Sequence, residues 1–297
     1  MQSLAKQKPS KTEITFEALG TRWWIELDGP KASTTIASSL KSMAQEFEGA
    51  YSRFQPSSQL GVLNDSKTLP KPPLEMIDML KYALKMLAAT GGVFNISVGS
   101  LLEKNGYGQP NDPGASVSND IYTAISISKD RIEISQSVRL DFGGFGKGWL
   151  IEKMSQRLAS EGIKNYVING GGDIAVGDQP QQLYIEHPLD NSQYIGYVIA
   201  RNSSLASSSL QKRQWEKQGK AKSHIVHPGD KFTDLSLLSI HVAAKSALTA
   251  DTFATVFLLI DHEKRCQLAQ KFGLQFLEVR SDGSFWQTPD FGFCPNS

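Results

Sequence analysis

The chain has 297 residues, 40 % of them hydrophobic, which is enough apolar material for one large core. Lys plus Arg total 31 against 30 for Asp plus Glu, so no net field draws the protein onto nucleic acid or anionic lipid. Its two cysteines, Cys266 and Cys294, are too few for a disulfide framework, and the apolar run at Val256 to Ile260 is too short to span a bilayer.

Residues 1–10 are polar and read as a flexible segment without the apolar stretch of a leader; the compartment stays open. Lys11 to Asp28 alternates partially in β-branched and aromatic residues and reads as a strand pair ending in a turn. Ser33 to Ala50 carries Ile36, Leu40, Met43, Ala44 and Phe47 at helical intervals. Ser52 to Ser66, rich in Ser, Pro, Gln and Asn, reads as a loop, and Pro73 opens a helix over Leu74 to Ala89 that Gly91 and Gly92 stop. After a Gly/Pro/Asn-rich excursion from Asn105 to Ser118 come short strands at Ile125 to Ile127 and Arg131 to Ile134, then a helix from about Gly148 to Glu161. From Asn165 the pattern is strand, Gly turn, strand, with further strands near Gln182 to Glu186, Gly196 to Arg201 and Leu235 to Val242. Ala247 to Leu259 is a strongly apolar helix, and Cys266 to Phe272 belongs to a more polar one. The order is mixed and strand-rich without a βαβ repeat, which predicts an α+β fold, with residues 11–297 as one domain.

Two glycine constellations stand out. Asp141 to Gly148 (DFGGFGKG) places four glycines between a strand and a helix, a composition that can present backbone N–H groups to an anion, with Lys147 as a point charge for phosphate. It is neither a Walker loop nor a Rossmann fingerprint, and a tight turn with Lys147 in solvent is the plain alternative. Asn169-Gly170-Gly171-Gly172-Asp173 has more glycines than a hairpin needs, so its backbone either adopts positive φ or approaches a ligand closely.

On the apolar helix Asp251 and Thr255 are four residues apart and share a face. A carboxylate, a hydroxyl and a backbone carbonyl together suit Mg²⁺, whereas a carboxylate favoured by its own helix dipole is the plain reading. His224 and His227, three apart on a strand, would face opposite ways and share no zinc; either is a candidate acid, base or phosphate donor. His187 reads as a structural strand-end residue, and His241 and His262 as ordinary strand and helix-surface residues.

The ordered set of these segments resembles the ApbE family, the FAD:protein FMN transferases. The match is carried by Tyr51 to Leu60 (YSRFQPSSQL) with Asn64, Gly92 to Gly99 (GVFNISVG), Asn105 to Gly108 (NGYG), Asp141 to Gly148, Asn169 to Asp173, Ala206 to Ser209, His224 to Pro228 (HIVHP) and Ala250 to Thr255 (ADTFAT). The resemblance implies a T-fold-like α+β architecture of antiparallel sheets and packed helices. It implies that Asp251, Thr255 and a backbone carbonyl of Gly143 or Gly144 hold Mg²⁺, and that His224 and Asp251 are catalytic. It places FAD in a cleft of Tyr51, Ser52, Phe54, Asn95, Tyr107, Lys147, Asn169, Gly171, Gly172, Asp173, Ser207, Ser208 and His224. The implied reaction joins the FMN part of FAD to a Thr or Ser of an acceptor flavoprotein and releases AMP; hydrolysis of FAD, or non-catalytic FAD binding or delivery, are the alternatives. Four single positions depart from the family pattern: Asn95 and His227 each replace an Asp, Ser209 a Gly, and Glu152 a common Asp; in addition Pro228-Gly229-Asp230 lacks the Thr-Gly that normally follows.

Overall fold

A computed structural model describes residues 11–296 apart from 30, 109–115, 119, 212–213, 218–219, 230–233 and 235. Segment 1–10 and half of the excursion expected at 105–118 therefore lie outside the described residues. In chain order, the hairpin β1 (Lys11–Ala18) and β2 (Thr21–Asp28) leads into α1 (Thr34–Tyr51) and α2 (Gln59–Ser66), followed by β3 (Thr68–Pro70), α3 (Leu74–Ala89), α4 (Gly99–Lys104) and α5 (Ile121–Ala124). Next come β4 (Ile125–Ile127), β5 (Arg131–Ile134), α6 (Gly146–Ser160), β6 (Asn165–Gly170), β7 (Ile174–Val176), β8 (Gln181–His187), β9 (Asp190–Ala200) and β10 (Ser203–Ser209). The chain closes with β11 (Gln214–Lys217), β12 (Lys220–Ser223), β13 (Leu237–Ala244), α7 (Ala247–Leu259), α8 (His262–Phe272), β14 (Gln275–Arg280), β15 (Phe285–Gln287) and β16 (Cys294–Pro295).

The main sheet has eight strands in the order β1-β2-β6-β7-β10-β13-β14-β15, antiparallel at every pairing. Period-two alternation gives its two faces different partners. Trp23, Ile25, Ile168, Ala206, Ile240, Val242 and Phe276 join the large core built with α1, α3, α6 and α7, whereas their neighbours Leu205, Leu277 and Val279 join a smaller core with Leu183, Ile185 and Val198. That second core sits beneath a three-stranded antiparallel sheet, β16-β9-β8. Two more small sheets, β3-β5-β4 and β11-β12, complete the α+β architecture.

The expectation of a loop from Ser52 to Ser66 is half corrected. Its second part is α2, whose N-cap Ser58 accepts a hydrogen bond from Gly61 N at 2.8 Å and whose Leu60, Leu63 and Asn64 are buried. Ser, Asn, Asp and Gly lower intrinsic helix propensity, and tertiary packing overrides it here. Asn64 shows what the helix does: Nδ2 donates to Leu140 O at 2.9 Å and Oδ1 accepts from Leu140 N at 2.6 Å, pinning the strand-like segment that delivers Asp141.

Candidate active site

Three cavities meet where the glycine-rich turns converge. The central cleft, about 160 Å³, is lined by Asp141, Gly143, Gly144, Lys147, His224, Asp251 and Thr255 together with Asn95. An aromatic cavity of about 280 Å³ shares Asp141 and Gly143 with it, and a third of about 920 Å³ shares Gly171 and Ser207 to Ser209.

Charge at the central cleft is carried by Asp141, Lys147 and Asp251 of its lining, with Asp173 behind them. Lys147 Nζ pairs with Asp173, whose side chain is 2 % exposed, and Asp173 also accepts from Ser207 N at 3.4 Å. Asp251, on α7, is buried, and its Oδ2 accepts from Gly148 N in the first turn of α6 at 2.7 Å. Burial first, and then repulsion by Asp173, raises the Asp251 carboxyl to about 7, against the opposing pull of Lys147 and the Gly148 N–H. Asp251 thus serves the N-terminus of a neighbouring helix and not its own, and the Gly148 N–H offered by sequence as an anion donor is already engaged. Glu152 of α6 reciprocates: Oε2 accepts from Ser246 Oγ at 2.8 Å and Ala247 N at 3.1 Å, at the start of α7. Contact between the helices is close because position 148 is glycine; a Cβ there would lie 2.6 Å from Ala247 O and from Asp251 Cβ. Gly144 lies beside Thr255, where an added Cβ would sit 3.9 Å from the hydroxyl.

The aromatic cavity gathers Tyr51, Ser52, Phe54 and Tyr107, four of the residues that the resemblance implies for FAD. Tyr51 OH donates to Glu75 Oε2 at 3.2 Å, and burial with the Glu75 charge raises its pKa. Ser52 ends α1 and accepts from Phe54 N at 3.3 Å. Phe54, 55 % exposed, meets Tyr107 edge-on at 5.4 Å, and Tyr107 in turn lies 6.3 Å from the His224 ring. A chain of rings therefore leads from the aromatic cavity to the histidine of the central cleft.

On the other side, Asn169 Oδ1 accepts from Gly172 N at 2.9 Å and closes the glycine turn. Gly171 has φ +72° and packs on Thr21, leaving no room for a side chain, and Gly172 has φ +99°. Asn169, Gly171, Gly172, Ser207 and Ser208 line the third cavity. Asp173 lies behind them, holding Lys147.

The four departures have distinct surroundings. Asn95 ties its own loop, accepting from Ser97 N at 2.9 Å and donating to Ser118 O at 3.0 Å, and still lines the cleft. Ser209 donates to Leu238 O at 2.9 Å and Glu152 caps α7 as above. His227 does not lie on a strand opposite His224; residues 224–227 have no regular structure, and His227 Nδ1 accepts from Gly229 N at 2.9 Å. Among the described residues no group of three His, Cys, Asp or Glu side chains is placed to hold a metal.

Three residues of the site were not singled out from sequence. The Arg53 side chain is buried and donates to Asp141 Oδ2 at 2.5 Å and to Tyr107 O at 2.6 Å, with its guanidinium 4.3 Å from the Phe54 ring centroid. It lies inside a quoted segment, but nothing local shows that its partners are 54 and 88 residues away. Leu19 bounds the aromatic cavity from the β1-β2 turn with φ 53°. The third is His241, which is buried; Nδ1 is 2.8 Å from Ser207 Oγ and Nε2 3.1 Å from Ser239 Oγ. By contrast His187 is a strand-end residue accepting from Leu189 N at 3.2 Å, and His262, with its side chain 39 % exposed, pairs with Glu278 at 2.8 Å.

The model of the ApbE family matches residues 19–277. The chain belongs to the ApbE family. It is 25 % identical to the FAD:protein FMN transferase of Escherichia coli K12 over 96 % of this chain and 91 % of that one, and 26 % identical to that of Klebsiella pneumoniae over 97 % and 90 %. The ApbE protein of Thermotoga maritima superposes with a TM-score of 0.82 at 22 % identity, covering 95 % of this chain and 98 % of that one. The flavin transferase ApbE of Vibrio cholerae gives 0.78 at 20 %, over 95 % and 98 %. These solved structures share the fold seen here. No helix among the described residues is long and apolar enough to cross a membrane.

Proposed function

We propose that this ApbE family member is a transferase, with 11–297 as its catalytic domain, that moves the FMN moiety of FAD onto a Ser or Thr hydroxyl of an acceptor flavoprotein and releases AMP. The observation that carries the reading is the central cleft: Lys147 set between the buried carboxylates of Asp173 and Asp251, at the junction of an aromatic cavity and a glycine turn. The aromatic cavity suits one planar end of FAD, and the cleft its diphosphate.

The residues fit a divalent cation. Two buried carboxylates against one ammonium leave a negative charge without compensation, and Asp251 is pushed toward its neutral form as a result. Asp251, the Thr255 hydroxyl and a carbonyl of Gly143 or Gly144 would hold Mg²⁺, which when bound supplies charge neutralisation to the diphosphate. Lys147 holds a phosphate oxygen from the other side, kept there by Asp173. The acceptor oxygen attacks the FMN-side phosphorus, the bond from that phosphorus to the bridging oxygen breaks, and AMP leaves with that oxygen. The attacking hydroxyl loses its proton, which we assign to His224 at the end of the ring chain. Ser207 and Ser208, on the wall shared with the third cavity, bound the side from which a hydroxyl enters. Water entering by the same route would give FMN and AMP.

The test is mass spectrometry of a candidate acceptor after incubation with the protein, FAD and Mg²⁺, with AMP and FMN quantified in the same sample. A covalent FMN mass with matching AMP, lost in His224→Ala by roughly 10²- to 10⁴-fold while FAD still binds, supports transfer. FMN and AMP without labelling points to hydrolysis, and intact FAD refutes both.

A further inference from the structure

The third cavity is far larger than the cleft it joins, and its walls are of two kinds. One wall is the underside of the main sheet: Arg22 and Trp24 of β2, Asn169 of β6, Ser207 of β10 and His241 of β13. The other is β8, and here the lining has a pattern that decides its geometry. Five consecutive residues, Gln182 to Glu186, all border the cavity. Leu183 and Ile185 point into the second core while Tyr184 is 55 % exposed on the opposite face, so a space touched by both sets runs along the edge of the strand and not over either face. That edge is open. β8 pairs with β9 alone among the described strands, β9 lying between it and β16.

An open strand edge facing a groove is a template for a further strand. The five residues span about 16 Å at roughly 3.3 Å each, room for an extended segment of similar length. The groove is continuous with the central cleft through Gly171 and Ser207 to Ser209. Its floor is polar, with Ser207 hydrogen-bonded to the buried His241 and that in turn to Ser239, while its lip carries Tyr184 and Tyr194, ring centroids 5.2 Å apart, and Leu189, 63 % exposed. Main-chain pairing for affinity, aromatic contact at the rim and a polar floor ending at the phosphate cleft are what an extended polypeptide bearing a reactive hydroxyl requires.

Resting on the transfer reading above, we propose that the acceptor protein presents its Ser- or Thr-bearing segment in extended form along the open edge of β8, adding a strand to the β16-β9-β8 sheet and passing its hydroxyl into the central cleft beside Ser207 and Ser208.

The experiment pairs hydrogen exchange with labelling. The full chain is mixed with FAD, Mg²⁺ and an acceptor flavoprotein, and amide exchange is followed over Gln181–His187 while FMN attachment is read by mass. The acceptor is expected to slow exchange in that strand. Tyr184→Glu and Tyr194→Glu, both at exposed rings that leave the core intact, are expected to lower labelling at limiting acceptor by roughly tenfold, with FAD affinity and water-driven release of AMP unchanged. Ile199→Glu, at a residue 59 % exposed in the same sheet but outside the groove, is the control and should label normally. Labelling by the wild type with no protection of the strand and no loss in the tyrosine variants overturns the groove and leaves transfer standing. Absence of labelling and of FAD cleavage in the wild type overturns the functional reading and the groove with it.

Discussion

Replacing Lys147 by Met separates the two roles of this side chain. In the protein the Lys147 side chain is 22 % exposed and that of its partner Asp173 only 2 %, so the substitution strands a carboxylate that cannot reach water. Breaking a fully buried pair from one side costs about 3–5 kcal/mol, and the partial exposure of the lysine end brings the expected loss to about 2–4 kcal/mol. With an unfolding entropy of ~2.1 cal/mol/K per residue, this chain unfolds with roughly 0.6 kcal/mol/K, so the melting temperature should fall by about 3–6 °C. The opposite truncation, Asp173→Asn, leaves a lysine that can swing to solvent and should cost about 1 kcal/mol or less. The double variant removes the stranded charge and should therefore be more stable than Lys147→Met alone. FAD affinity follows another rule: both variants lacking the lysine lose a charge-assisted phosphate contact, about 1.5–3 kcal/mol or roughly 10- to 150-fold in Kd. Thermal denaturation and flavin fluorescence titration of the three variants make the comparison. A double variant no more stable than Lys147→Met, or one that regains FAD affinity, would refute this picture of the cleft.

Three further outcomes follow from the same geometry. Because the Asp251 carboxyl is held at about 7 in the folded protein against an ordinary aspartate value of 3.8, the folded state binds that proton more tightly. Cation-free stability should therefore decline as pH rises between those values, Mg²⁺ should restore it at pH 8, and Asp251→Asn should abolish both responses in calorimetric melts. Gly148→Ala drives a methyl into Ala247 O and Asp251 Cβ, and overpacking of that kind should cost about 1–3 kcal/mol in denaturant titrations, whereas a melt identical to wild type would mean the two helices separate freely. Arg53→Leu leaves Asp141 and Glu103 without the guanidinium that lies 2.5 and 3.5 Å from them; equilibrium titration should show FAD affinity falling at least as much as in Phe54→Ala, and equal affinity to wild type would remove Arg53 from the site.

Much of the architecture is legible because its signals are local. Helical apolar spacing marks α1, α3 and α7, and alternation marks β1 and β2. The segment Ser203 to Ser209 is legible only as a motif: its serines have low strand propensity, and it becomes β10 because β7 and β13 flank it in the sheet. α2 was hidden by the same kind of composition, its cap at Ser58 being the one local signal. At the site, the glycine turns and the Asp251 to Thr255 spacing are visible in sequence, but what they touch is not. His241 looks like any strand residue until β10 brings Ser207 beside it, and Arg53 until the chain returns with Asp141.

The two carboxylates exchanged between α6 and α7 also constrain motion. Asp251 holds Gly148 of the other helix while Glu152 holds Ala247, so a slide of either helix by one turn would release both grips at once. Such a pair behaves as a fixed jaw: one wall of the central cleft is held in register by two helices that grip each other, and the Phe54, Tyr107 and His224 rings belong to other segments that these two grips do not fix.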